Sequence, residues 1–193
     1  MIILGITGGI GSGKSTVSQL LEVYGIPVYI ADNESKKLVA TSPVIKEKLI
    51  EIFGEELYEG GVLNKPLLAS HIFNDNKKLE LVNSIIHPVV AEDFKNWCEK
   101  HSKFSIVAHE AAILFESGFD KFMDKIVTVY APLEVRIART LARDNTTREK
   151  VLERIQNQMP DEKKAELSDF VIVNDEKSSI VEQVNLIIQQ LKK

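Results

Sequence analysis

Five short runs of this chain are apolar mostly at consecutive positions instead of alternate ones: IILGIT (2–7), IPVYIAD (26–32), FSIVAHE (104–110), KIVTVYA (125–131) and FVIVN (170–174). Strands of that kind are covered on both faces, the situation of a parallel sheet with helices on each side. Helical periodicity occupies 14–24, 132–143, 147–158 and 178–192. Strand and helix therefore alternate, and the expected fold is a three-layer α/β domain on a five-stranded parallel sheet. At 193 residues the chain has room for one such domain with a large core and inserted lobes.

Two stretches break the alternation. Between the second and third runs lie about 70 residues, where a crossover needs only one helix. They carry four helical patterns: SPVIKEKLIEIFG, NKPLLASHIF, NKKLELVNSII and PVVAEDFKNWCEKH. The punctuation by Pro43, EGG at 59–61, Pro66 and Pro88 fits a compact inserted helical lobe over about 33–103, not a disordered linker. The second stretch, 139–165, is highly charged and helical; it reads either as a solvated helix pair or as a mobile basic lid. The core is then 1–32, 104–138 and 166–193.

Between the first strand and the first helix stands GGIGSGKST, residues 8–16, in which Gly8, Gly13, Lys14 and Ser15 satisfy G-x-x-x-x-G-K-[ST]. Such a turn aims backbone N–H groups inward and opens onto a helix N-terminus with its unpaired amides and positive dipole end. It therefore holds phosphates. Glycine supplies φ > 0 and close approach, and Gly9 and Gly11 add further freedom. Lys14 reaches the β- and γ-phosphates, and the Ser15 hydroxyl is placed to ligate Mg²⁺. Gly9, Gly11, Ser12, Gly13, Lys14, Ser15 and Thr16 form the expected ATP loop.

What becomes of the γ-phosphate is decided elsewhere. A GTPase would show Asn-Lys-x-Asp, whereas Asn64-Lys65 is followed by Pro66 and Leu67. A mechanical ATPase would couple its acidic strand end to a partner region, and SIVAHE feeds none. Transfer to a small acceptor fits best, and it needs a carboxylate near the γ-phosphate, at the C-terminal strand ends. Asp32 ends the second run and is the expected base, with an N-cap role open beside it. Glu110 ends the third and acts through Mg²⁺-bound water, or is a buried carboxylate paired with a cation. Glu110 and Leu114 belong to the acceptor side. Charge for the transferring group comes from VRIARTLARDNTTREKVLER, in which Arg136, Arg139 and Arg143 fall on one helical face with no matching acidic stripe. Arg139 is expected to be catalytic and Arg143 to bind ATP, while Arg136 and Arg154 read equally well as solvated surface. Asn174, beyond the last strand, is a candidate neighbour of the nucleotide base. His87 precedes Pro88, and an exposed imidazole at a helix boundary is the default reading.

Composition removes other classes. With 24 basic and 28 acidic residues the net charge is −4, which argues against a general nucleic-acid binder and makes any anion site local. Cys98 is the only cysteine, so no internal disulfide forms and a reducing cytosol fits. Cys98 and His101 lack a second pair at metal spacing. No run approaches 18 apolar residues, and Met1 leads directly into strand; the expectation is a cytoplasmic chain with small-molecule partners, no nucleic acid and no membrane. Its oligomeric state is not legible.

The ordered series TGGIGSGKST, GIPVYIAD, HPVV, AAILFESG, RTLARD, TREKVLERI and DFVIVND resembles the dephospho-CoA kinase family over essentially the full length. The resemblance implies a nucleoside-monophosphate-kinase-like core, a helical acceptor lobe and a lid, with ATP-dependent phosphorylation of the ribose 3′-hydroxyl of dephospho-CoA to give CoA and ADP. It implies Asp32 as the catalytic carboxylate, residues 11 to 16 as the ATP loop, Arg139 as a lid arginine and His87 as the His-Pro element near the acceptor. Two departures stand out. Ile30-Ala31-Asp32 replaces Asp-Ala-Asp, which removes any role of a first carboxylate. Ala112-Ile113-Leu114-Phe115-Glu116 replaces Pro-Leu-Leu-Phe-Glu, which is expected to relax the loop after the third strand. A kinase for a nucleoside, a sugar acid or shikimate, and a nucleotide-dependent switch, are the rival readings.

Overall fold

A computed structural model describes residues 1–72 and 75–192. All five apolar runs become strands of one sheet: β1 (Ile2–Thr7), β2 (Val28–Ile30), and three that we number β5 (Ile106–Glu110), β6 (Lys125–Tyr130) and β7 (Phe170–Val173) after a small hairpin described below. The order is β2-β5-β1-β6-β7 and every neighbouring pair is parallel. Register aligns Ile6 of β1 with Glu110, and Ile30 of β2 with the same Glu110, so three strands end at one level. β1 lies at the centre, where the chain's crossovers diverge to either side. The loop that follows it therefore opens into the crevice at which α/β sheets take their ligands.

The chain divides into two compact units, Met1–Ile30 with Lys100–Lys193, and Ala31–Glu99. In the sheet unit, α1 (Lys14–Val23) and α9 (Ile180–Leu191) cover one face. Val17 and Leu21 from α1 and Val184, Ile187, Ile188 and Leu191 from α9 join Leu4, Ile6, Ile106, Ala108, Val127, Val129 and Ile172 in the main core. Most of those strand side chains are 2% exposed or less, which is why the runs show no alternation. Ser179 caps α9 by accepting from the Glu182 amide. The charged stretch folds as α6 (Leu133–Arg143), α7 (Arg148–Gln156) and α8 (Asp161–Glu166).

The helical unit holds α2 (Ala31–Thr41), α3 (Pro43–Phe53), a 3₁₀ turn at Glu55–Leu57, a hairpin of β3 (Tyr58–Glu59) and β4 (Val62–Leu63), α4 (Lys65–Ile72) and most of α5 (Asn76–Lys100). Its own core comprises Val39, Ile45, Leu49, Phe53, Leu57, Tyr58, Leu63, Val82 and Ile85. Three sequence expectations change here. The second strand stops at Ile30 because α2 starts at once with Ala31, so Asp32 occupies a first helical turn, where a carboxylate meets the positive dipole end. The two patterns flanking Pro88 are one helix: Val82, Ile85, Val90 and Phe94 are buried on either side of the proline, and that burial outweighs the one ladder hydrogen bond it removes. Pro66, likewise no interruption, lies in the first turn of α4, where its missing N–H costs nothing. Phe73, the end of one expected helix, lies outside the described residues. Among the described residues, no helix is long and apolar enough to cross a membrane.

Candidate active site

Residues 8–13 turn from β1 into α1 with the backbone that glycine permits. Gly11 and Gly13 have φ of +77° and +97°, and a Cβ on Gly11 would strike the Arg136 carbonyl, while one on Gly13 would strike the Asn174 amide. Gly9 is required for a different reason. Its φ is unremarkable for an L-residue, but a Cβ there would run into the Arg136 guanidinium and the Asp161 carboxylate. The freedom expected of Gly9 is thus a need for room. Lys14 Nζ donates to the carbonyls of Gly8 and Gly9 at 2.9 and 3.2 Å, which holds the ammonium across the mouth of the turn. Ser15 and Thr16 are exposed in the first turn of α1. Ser12 is buried, and its Oγ atom has no hydrogen-bond partner among the described residues.

The far side of the turn is braced by side chains. Asn174 Nδ2 donates to the Ser12 carbonyl at 2.8 Å, and Arg139 donates to the Asn174 carbonyl and to its Oδ1. The structure thus brings Asn174, Arg139 and the loop together through protein–protein bonds. Arg139 also faces Glu176 at 3.5 Å and its side chain is 29% exposed, which leaves it a route to a bound anion. Arg136, by contrast, is buried. It donates from Nε to the Ile10 carbonyl at 3.0 Å and pairs with the buried Asp161 at 2.7 Å. Burial pushes the Asp161 carboxyl above its ordinary range, against the pull of Arg136 and Lys164.

The expectation that the arginine face lacks acidic partners does not hold. Arg143 and Arg154 both pair with Asp144, and Arg148 pairs with Glu134 through two hydrogen bonds. The partners escape a search along one helix because they sit in the α6–α7 turn, at the start of α6 and at α8. The Arg143 side chain is 63% exposed, on the outer end of α6.

Ser18, one turn after Ser15 on α1, donates to Glu110 Oε2 at 2.6 Å. That bond fixes the carboxylate on the helix face that carries Ser15. Leu114, expected on the acceptor side, is fully buried and lies against Gly5. The loop around it is not slack despite lacking the proline: Lys164, 0% exposed, donates to the Ala112 carbonyl and pairs with Glu116 at 2.9 Å. Asp32 and His87 belong to the helical unit. Asp32 is exposed, and partial burial in α5 lowers the His87 pKa. Cys98 is buried in α5 and its thiol is pushed up to about 11 by that burial, as suits a packing residue.

Sequence reasoning missed Gln158, Asp161 and Lys164. The only local signal is Pro160, which ends the helical pattern after NQM. Charge patterning reads DEKKAE as solvated surface and cannot show which of its charges turn inward.

Comparison with known proteins agrees with this geometry. Residues 2–180 match the family model for dephospho-CoA kinase. The chain is 52% identical over 183 residues to a dephospho-CoA kinase of Bacteroides fragilis strain YCH46, covering 95% of this chain and 89% of the relative. It is 41% identical over 193 residues to a dephospho-CoA kinase of Porphyromonas gingivalis, covering 100% of this chain and 95% of the relative. The crystal structure of TT1252 from Thermus thermophilus superposes with a TM-score of 0.88 at 33% identity, covering 98% of this chain and 96% of that one.

Proposed function

The chain belongs to the dephospho-CoA kinase family, and from that premise we propose how its residues divide the work. The protein is a kinase that phosphorylates dephospho-CoA with ATP in the last step of coenzyme A biosynthesis. The acceptor atom is the ribose 3′-oxygen. The triphosphate lies on residues 8–16, with backbone amides and the α1 dipole receiving its oxygens. The observation that carries this reading is the turn itself, with left-handed glycines and Lys14 Nζ bound at its mouth.

Phosphoryl transfer needs little covalent chemistry from a protein; positioning and charge do most of it. Lys14 and Arg139 neutralise the equatorial oxygens as the bond to the leaving group lengthens. Asp32, two residues beyond β2, takes or orients the proton of the attacking hydroxyl. Unit 31–99 holds the acceptor with help from His87, and Glu110 serves the acceptor from the end of β5; Leu114, fully buried, packs behind the loop that follows. Residues 139–165 close as a lid and exclude water, which otherwise competes as acceptor. Asn174 sits against the loop and contributes, with Arg143, to nucleotide binding.

Mg²⁺ fits this site as a companion of the nucleotide. Among the described residues no trio of His, Cys, Asp or Glu forms a cage, whereas the Ser15 hydroxyl and, through water, Glu110 suit an ion held mainly by phosphate oxygens. When bound, it spreads the negative charge of the β- and γ-phosphates. The lone buried thiol suits a reducing cytoplasm as the place of work.

The test is a panel of acceptors offered with Mg²⁺ and ATP to the purified protein, with the product identified by mass and its phosphate mapped by phosphorus NMR. Phosphate on the ribose 3′-oxygen of dephospho-CoA is the expected outcome. Faster phosphorylation of shikimate or a nucleoside, or ATP turnover indifferent to every acceptor, overturns the assignment.

A further inference from the structure

Both backbone polar groups of one loop residue, Ile10, are held from outside by side chains, so the two peptide units that meet at its Cα are each pinned once. Arg136 Nε donates to the Ile10 carbonyl, and Gln158 Oε1 accepts from the Ile10 amide, each at 3.0 Å. Arg136 sits on α6, before the lid helix α7, and Gln158 stands just after it. The guanidinium is fixed in turn by Asp161 at 2.7 Å. Gly9, next to Ile10, must be glycine because that ion pair occupies the space a Cβ needs. Lys164 anchors the other end of the segment to the Ala112 carbonyl and to Glu116, whose Oε1 also accepts from the Met159 amide at 2.8 Å.

A phosphate cradle works because its amides are aligned before the anion arrives, so the energy of alignment is met during folding and not during binding. In this loop Ile10, like Ser12, stands between two glycines, which leave the adjoining peptide units free to rotate unless something else holds them. Its clamp is also electrostatically discreet. The group that accepts from the Ile10 amide is a neutral carboxamide, and the Asp161 carboxylate, which faces the Gly9 amide, is matched by Arg136 and lies near Lys164 and Lys14. The loop is held without placing uncompensated negative charge beside a triphosphate.

We propose that Gln158, Arg136 and Asp161 are positioning residues that lock the two peptide units on either side of the Ile10 Cα and thereby set the nucleotide affinity of the loop. The proposal rests on residues 8–16 being the ATP site. Gln158 is half-buried, so Gln158→Met keeps the side chain's length, removes the acceptor and leaves the fold intact. The dissociation constant for Mg·ATP, titrated calorimetrically with no acceptor present, rises about fivefold to tenfold, as one unmade hydrogen bond predicts. The KM for dephospho-CoA stays unchanged. Arg136→Lys supplies a cation to Asp161 but has no guanidinium fork to serve the Ile10 carbonyl at the same time; it raises the same constant by a similar factor. Melting temperatures are recorded in parallel. An unchanged ATP constant in both variants overturns the clamp. So does a rise shared equally by both substrates and tracking lost thermal stability, because that is the mark of a general structural role. Since the titration contains no acceptor, failure of the acceptor assignment shows separately, as wild-type protein that binds ATP and leaves dephospho-CoA unmodified.

Discussion

The phosphate loop and the helical unit set their candidate chemistry in opposite surroundings. At the loop, the backbone is the instrument, and several polar side chains are engaged in holding it: Asn174 on Ser12, Arg139 on Asn174, Arg136 and Gln158 on Ile10. On the helical unit, Asp32 is exposed in the first turn of α2 and His87 half-buried along α5. On the proposed division of work, the difference follows from the two substrates. A triphosphate is caught by amides, which must be rigid beforehand. In that reading an alcohol on a flexible acceptor is oriented by side chains of the helical unit, which need only the right position during transfer.

The contrast breaks most visibly if the two regions fail to matter equally for turnover. Lys14→Ala and Asp32→Asn should each lower kcat on the order of 10²-fold or more in protein whose fold is verified by circular dichroism. Near-normal turnover in Asp32→Asn would remove the helical unit from the chemistry and leave it a binding element.

Acid sensitivity separates the units next. His109 of β5 is 1% exposed between the rings of Tyr29 and Phe119, and burial lowers its pKa to about 4. The unfolded chain binds that proton near 6.5. The folded form is therefore favoured fully above 6.5 and loses that advantage as the pH falls towards 4. Between pH 7 and 5 the loss is about 2 kcal/mol from this group. His87 is lowered in the same direction but only partly buried, so the sheet unit carries the larger share. Urea unfolding of wild type and His109→Phe at the two pH values checks this, and an equal fall in both proteins refutes it.

Glycines sharpen the comparison at about the tenfold level. Gly11→Ala forces a Cβ at φ +77° against the Arg136 carbonyl and should weaken ATP binding about tenfold or more. Gly60→Ala, in the hairpin of the helical unit, has φ +57° but open space around it. It should cost about 1 kcal/mol of stability and leave ATP binding alone. If calorimetry finds the two equally harmless to ATP, the loop is not the rigid device described here.

These pairs also mark what the sequence makes legible. The sheet was readable because residues such as Ile6, Val127 and Ile172 are apolar for the same reason they are buried, and the loop because only glycine and lysine at fixed spacing satisfy a phosphate. Asp32 was visible as a carboxylate near a strand end, although its helical setting was not, since Ile30-Ala31-Asp32 contains no break. Pro88 misled because the helix penalty of a proline is local, while the burial of Val82, Ile85, Val90 and Phe94 that overrides it is tertiary. The clamp was hidden for a related cause: Asp161 and Lys164 look like ordinary solvated charges, and only the fold shows them meeting Arg136 and Glu116.

The smallest effect belongs to the outer arginines. Arg148 makes two good hydrogen bonds to Glu134, at 2.9 and 2.7 Å, and the interaction holds the Glu134 carboxyl below its ordinary range. Both groups nevertheless face water, and water competes for each of them while salt screens the pair. Arg148→Gln should shift the melting temperature by no more than about 2 °C, and that shift should vanish in 1 M salt. The same substitution at Arg136 meets a desolvated partner, which salt does not reach, so its effect should persist. A salt-insensitive penalty at Arg148 would show that the α6–α7 junction is drier than its exposure implies, and the division between the buried Arg136 and the solvated arginines of 139–165 would have to be redrawn.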